Sequence, residues 1–113
     1  MHEVGIMQEM ARIAVERAEA ADAKRIYVIR LRVGRLSSVV PEAMRFAHEV
    51  VTEGTIAEGS TLEIEEVPVR CYCEHCEEEF ECGKSLFVCP KCDAFSRDVR
   101  SGRELDLVNM EVG

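Results

Sequence analysis

Six cysteines, Cys71, Cys73, Cys76, Cys82, Cys89 and Cys92, fall in one short stretch of the chain. Four of them form two Cys-x-x-Cys pairs, Cys73-Glu-His-Cys76 and Cys89-Pro-Lys-Cys92, separated by twelve residues. That spacing lets two short turns each present two sulfurs to one tetrahedral ion. Thiolate is a soft ligand, and four of them favour Zn²⁺ over oxygen-seeking cations, with tetrahedral iron as the competitor that the residues leave open. A redox Cys-x-x-Cys normally stands alone at a helix start after a strand, so two pairs argue for a metal site rather than for redox thiols. A closed four-coordinate zinc has no position left for water or substrate, so the expected role is structural and no catalytic residue is assigned. Cys71 and Cys82 are surplus: each replaces a ligand, pairs on oxidation, or does neither. His75 lies inside the first pair and is expected to be an exposed spacer, since four better-spaced sulfurs are available.

The second place with chemistry is Met1-His2-Glu3. An α-amine, an imidazole and the amides of His2 and Glu3 offer up to four nitrogens in one plane, a geometry preferred by Ni²⁺ and Cu²⁺. A histidine near a chain start is ordinary, so the residues alone are a weak signal.

Charge narrows the partners. Lys and Arg number 14 against 22 Asp and Glu, a net charge of −8, so the phosphate attraction behind most nucleic-acid affinity is missing. Residues 69–98 hold seven acidic and four basic side chains, and four thiolates with one Zn²⁺ would make the stretch more acidic still. No apolar run approaches the ~20 residues of a membrane span. Glu3 and Glu9 stand where a signal peptide would be basic, and clustered thiols suit a reducing compartment, so a cytoplasmic protein with neither nucleic-acid nor membrane partners is expected.

The elements that must position these groups follow from periodicity. Ile6, Met7, Met10, Ile13, Ala14 and Arg17 recur at helical spacing, which predicts a helix over Val4–Ala21. Residues 25–33 are β-branched and aromatic, with Tyr27, Ile29, Leu31 and Val33 on one face, and predict a strand ending at Gly34. Pro41 suits the first turn of a second helix with a stripe of Val40, Ala43, Ala47, Val50 and Val51 and a stop at Gly54. Residues 61–67 and 103–112 alternate as strands. The expected fold is α+β: two helices on one face of a three-stranded sheet, burying Ile6, Met10, Ile13, Ile29, Leu31, Val50 and Ile64 together. The cysteine stretch interrupts that sheet, giving a parent domain of residues 1–68 with 99–113 and an inserted zinc-ribbon-like module at 69–98. Some thirty residues cannot bury enough apolar surface alone, so the module is expected to depend on metal. His48 is expected at the surface or the edge of the helix stripe. Lys24, Arg25, Arg30, Arg32 and Arg35 form either a docking surface for an acidic partner or a solvated sheet face.

Met1-His2-Glu3, the helix Val4–Ala21, Val33-Gly34-Arg35-Leu36, the run from Glu53 to Ile64, and the segments Cys71–Cys76 and Cys89–Cys92 together resemble the HypA/HybF family of hydrogenase nickel-incorporation proteins. The likeness covers nearly the whole chain, in order, spacing and total length. It implies a metallochaperone, not an enzyme, that binds Ni²⁺ at its N-terminus, holds a structural Zn²⁺, and hands nickel to the large subunit of a nickel–iron hydrogenase, in some bacteria also to urease. It implies work with a HypB-type nucleotide-hydrolysing partner, by a monomer or a homodimer. Carried over by position, His2 matches the family's nickel-binding histidine, with Met1 and Glu3 beside it, and Cys73, Cys76, Cys89 and Cys92 match its zinc ligands. Cys71 matches a cysteine of some members that is not a usual ligand, and Cys82 has no family role. The competing reading is a zinc-ribbon adaptor for other proteins, without nickel function; a third is a thiol oxidoreductase using the surplus cysteines.

Overall fold

The computed structural model describes residues 2–82 and 87–113. The first helix, α1, spans His2–Ala20. Its buried line is Glu3, Met7, Ala11, Ala14 and Ala18. The expected inward residues Ile6, Met10 and Ile13 are only half-buried, flanking that line. The reason is close helix approach: α1 lies directly against the second helix, α2 (Pro41–Thr52), and alanines let two backbones come nearer than isoleucines would. In α2 the buried positions are Met44, Ala47, His48 and Thr52.

That stripe is also rotated from the expected one. Val50 is 53% exposed, which corrects its placement in the core, and Val40 and Phe46 also face solvent. His48, expected at the surface, is buried at 5% exposure, its Nε2 2.8 Å from the hydroxyl of Ser60. A polar ring can occupy an inward position at small cost once a hydroxyl satisfies it, and the helix then turns Val50 outward.

Burial holds the His48 imidazole below its ordinary range, opposed by the nearby Glu49 carboxylate. The folded chain therefore favours the neutral ring, while the unfolded chain takes up a proton near pH ~6.5. Stability is present above that pH and is lost as pH falls through it, until the buried ring itself protonates. Urea unfolding on both sides of that pH should show the loss in the parent chain and a flatter dependence in His48→Gln, which keeps a partner for Ser60 and does not titrate. Identical pH dependences would refute the assignment.

The strands β1 (Ile26–Gly34), β2 (Thr61–Val67) and β6 (Leu105–Val112) form a three-stranded sheet in the order β2-β1-β6. The architecture is α+β, with strands within two residues of the expected bounds. Ile26, Ile29, Leu31 and Val33 of β1 are buried, but Tyr27 is 56% exposed, because the alternation that holds from Ile29 to Val33 slips before Ile29. Ile64 lies on the edge strand β2 and is half-buried. On the solvent face Arg30 donates to Glu63 (2.8 Å), Asn109 (3.0 Å) and Glu111, and Arg32 pairs with Glu65 at 3.5 Å. The sheet thus neutralises Arg30 and Arg32 internally, leaving Lys24, Arg25 and Arg35 exposed.

Two units make up the chain: Met1–Arg32, Val39–Glu65 and Asp106–Gly113 in one, Val33–Ser38 and Glu66–Leu105 in the other. Within the second unit, β3 (Arg70–Cys73), β4 (Glu78–Glu81) and β5 (Val99–Ser101) form a sheet in the order β4-β3-β5, three short strands that periodicity did not predict. The same unit explains Val33-Gly34-Arg35-Leu36. The amide of Gly34 donates to the Glu104 carbonyl and that of Leu36 to the Gly102 carbonyl, both at 2.7 Å. A Cβ on Gly34 would stand 2.1 Å from that Gly102 oxygen, so only glycine fits.

Candidate metal centres

Each Cys-x-x-Cys pair occupies the tip of a hairpin. Cys73 ends β3 and faces Glu78 across the turn, and Cys76 lies within that turn. The second tip is closed by Ser96 donating to Phe87 (2.8 Å) and Cys89 donating to Ala94 (2.9 Å), with Cys92 in the turn between. Both turns use the same backbone device. The residue after the second cysteine is left-handed in each: Glu77 at φ 55 and Asp93 at φ 60. Neither is glycine, so each costs backbone strain that the rest of the turn must hold. Asp93 is of a residue type that tolerates the left-handed region, whereas Glu77 is not.

The result brings four sulfurs together. The Sγ atoms of Cys73, Cys76, Cys89 and Cys92 all lie within 4.8 Å of one another. The contacts between hairpins are Cys73 to Cys92 at 3.6 Å and Cys76 to Cys89 at 3.9 Å. A tetrahedral ion with Zn–S bonds of about 2.3 Å has sulfur–sulfur edges of about 3.8 Å, so this donor set fits the ion. The Cys76 amide donates to the Cys73 sulfur at 3.4 Å, and the amides of Lys91 and Cys92 point at the Cys89 sulfur and pull its thiol down to about 7. Cys76 is pushed the other way, up to about 12, by the neighbouring sulfurs, Cys92 foremost, and by burial. Sulfurs this crowded cannot all be anions unless a cation sits among them, and metal binding must therefore displace protons. Lys91, paired with Glu78, ties one tip to the other.

Cysteines make up much of the core around this cluster, with Phe87, Ala94 and Val99 packed against it. Its buried residues are Val69, Cys71, Cys73, Phe80, Cys82 and Cys89. Cys71 and Cys82 stand outside the four-sulfur group, with their own Sγ atoms 3.2 Å apart. His75 is exposed and lines an open groove of about 670 Å³ with Tyr72, Phe95 and Arg97 among others.

The other candidate centre lies in the first unit. His2 opens α1 with its side chain 58% exposed, its Nε2 3.2 Å from the Glu3 carboxylate. Glu3 turns inward, is 7% exposed, and accepts a hydrogen bond from the Val40 amide at 3.3 Å. A bond from its own amide foremost, and then the one from Val40, hold its carboxyl below the usual range, against the opposing effect of burial. Sequence reasoning gave Glu3 a place beside the imidazole and missed this anchor to the start of α2. Met1, whose amine belongs to the expected chelate, lies outside the described residues.

A family model described as "Hydrogenase/urease nickel incorporation, metallochaperone, hypA" matches residues 1–112. This chain belongs to the HypA family. The hydrogenase maturation factor HypA of a Picosynechococcus species is 45% identical over 112 residues, covering 99% of both chains. That of Crocosphaera subtropica is 39% identical, covering 99% of this chain and 96% of its own. Two HypA solution structures share the fold. One described as the HypA protein superposes with a TM-score of 0.72 at 23% identity, over 99% of this chain and 96% of that one. The nickel metallochaperone HypA from Helicobacter pylori superposes with a TM-score of 0.65 at 21% identity, over 97% and 96%. This HypA family member is thus one of the nickel-incorporation metallochaperones of hydrogenase maturation, with a four-cysteine group able to hold a metal. Among the described residues, no helix is long and apolar enough to cross a membrane.

Proposed function

We propose that this chain binds Ni²⁺ through the Met1 amine, the His2 imidazole and the amides of His2 and Glu3, and delivers it to the large subunit of a nickel–iron hydrogenase. The observation that supports the nickel site is the position of His2: exposed, in the first turn of α1, where amides have no intrahelical carbonyl to bond. Glu3 holds this turn against the Val40 amide, so the His2 imidazole stands beside a fixed residue. Cys73, Cys76, Cys89 and Cys92 would hold Zn²⁺, which supplies structure and no reaction. The roles divide by segment, residues 1–68 with 99–113 carrying nickel and 69–98 the zinc module. The cargo must leave, which suits an exposed nickel site; a HypB-type nucleotide-hydrolysing protein would act with it, in the cytoplasm, and urease is a second recipient in keeping with the family description.

Nickel titration of the untagged, zinc-loaded chain tests this. The parent protein should bind one Ni²⁺ per chain, and His2→Ala should lose that binding with its zinc content unchanged. The adaptor reading rests on the groove beside Cys73. It would replace this one if the parent protein bound no nickel.

A further inference from the structure

We infer that Cys71 and Cys82 are a dithiol that closes to a disulfide under a hydroperoxide, latching the hairpin that carries Cys73 and Cys76. In the β3–β4 register Cys71 faces Phe80, and Cys82, two residues further on, donates its amide to the Val69 carbonyl at 2.8 Å. The two side chains therefore lie on one face of the sheet, and their sulfurs meet at 3.2 Å. Both are buried, at 0% and 9% exposure, in the same core as the four clustered cysteines, yet neither belongs to that group. A bond between them encloses β3 from Cys71 onward, the first turn and β4 in one covalent ring. That ring limits how far the hairpin can open when no metal is present.

The chemistry balances. The Cys82 sulfur, the less buried of the two, attacks one oxygen of hydrogen peroxide and the O–O bond breaks; burial and the contact with Cys71 push this thiol up to about 11, so the step is slow at neutral pH. A sulfenic acid forms, and hydroxide leaves with the thiol proton as water. The Cys71 sulfur then attacks the sulfenic sulfur, the S–S bond forms as the S–O bond breaks, and hydroxide takes the second thiol proton. Two thiols are oxidised to one disulfide, and one peroxide is reduced to two waters.

The inference is independent of the nickel reading and draws on the zinc site only for its second readout. The zinc-loaded full chain is treated with hydrogen peroxide, denatured, alkylated without reductant and mapped by peptide mass spectrometry. The expected product links the Cys71 and Cys82 peptides while Cys73, Cys76, Cys89 and Cys92 are alkylated. A link among those four, or alkylated Cys71 and Cys82 in every product, would overturn the pairing, whatever the metal. In the second readout, a chelator should strip zinc several-fold more slowly from the cross-linked chain than from the reduced one, and the Cys71→Ser/Cys82→Ser double variant should show no such difference after peroxide. Equal stripping rates for cross-linked and reduced parent chains would overturn the latch. If the double variant fails to fold, the parent-chain map and the comparison of its two redox forms still decide both points.

Discussion

Replacing Cys92 by serine is expected to unfold the metal module and leave the two helices standing. The buried residues around the cluster are four cysteines with Val69 and Phe80, and such a core supplies little transfer free energy of its own. By analogy with zinc-finger peptides, metal binding contributes on the order of 10–16 kcal/mol at neutral pH, more than any other interaction in the module can. Serine removes one soft donor, and the left-handed Glu77 and Asp93 would then have no metal to hold their turns. Hydrogen exchange of the amides of Cys76, Cys82 and Cys89 should rise toward unprotected rates, while Met7 and Ala14 of α1 and Met44 of α2, all buried, should keep theirs. Chelator treatment of the parent chain should give the same pattern. A variant that kept one tightly bound zinc and a protected module would refute the four-cysteine assignment.

The parts of the fold legible in the sequence were those fixed by repeated local signals. Pro41 at the start of α2, Gly54 beyond its end and the β-branched run of β1 marked elements whose bounds the structure reproduces within two residues. Which face each helix buries was not legible, because periodicity ranks residues by apolarity. The closeness of α1 to α2 instead ranks them by size, favouring Ala11, Ala14 and Ala18 over Ile6, Met10 and Ile13. His48 was misplaced for a related reason: whether a histidine can be buried depends on a partner twelve residues away, and Ser60 carries no sign of that role. The short strands β3, β4 and β5 were invisible because three or four residues are too few for a periodicity to be detected. Cys-x-x-Cys spacing, by contrast, encodes turn geometry directly, and the four sulfurs do converge.

The nickel site makes the second large prediction, since its donors on this reading are mainly backbone and terminal nitrogens. Extending the chain by a few residues before Met1 turns the amine into an amide while leaving every side chain in place. Loss of that donor and its chelate ring is expected to cost roughly 3 kcal/mol, a weakening on the order of 100-fold. Isothermal titration of tagged and cleaved protein would read this directly. A planar set of four nitrogens should also give diamagnetic Ni²⁺ in the cleaved protein and lose that signature in the tagged one. Protons compete for the same amine, imidazole and amides, so affinity should fall on acidification. Full affinity with the tag in place would move the donors elsewhere. His48 is a poor substitute, because its ring is buried against Ser60. That leaves His75, exposed at the first hairpin tip, as the remaining imidazole, and His75→Ala would then abolish the binding that His2→Ala had spared.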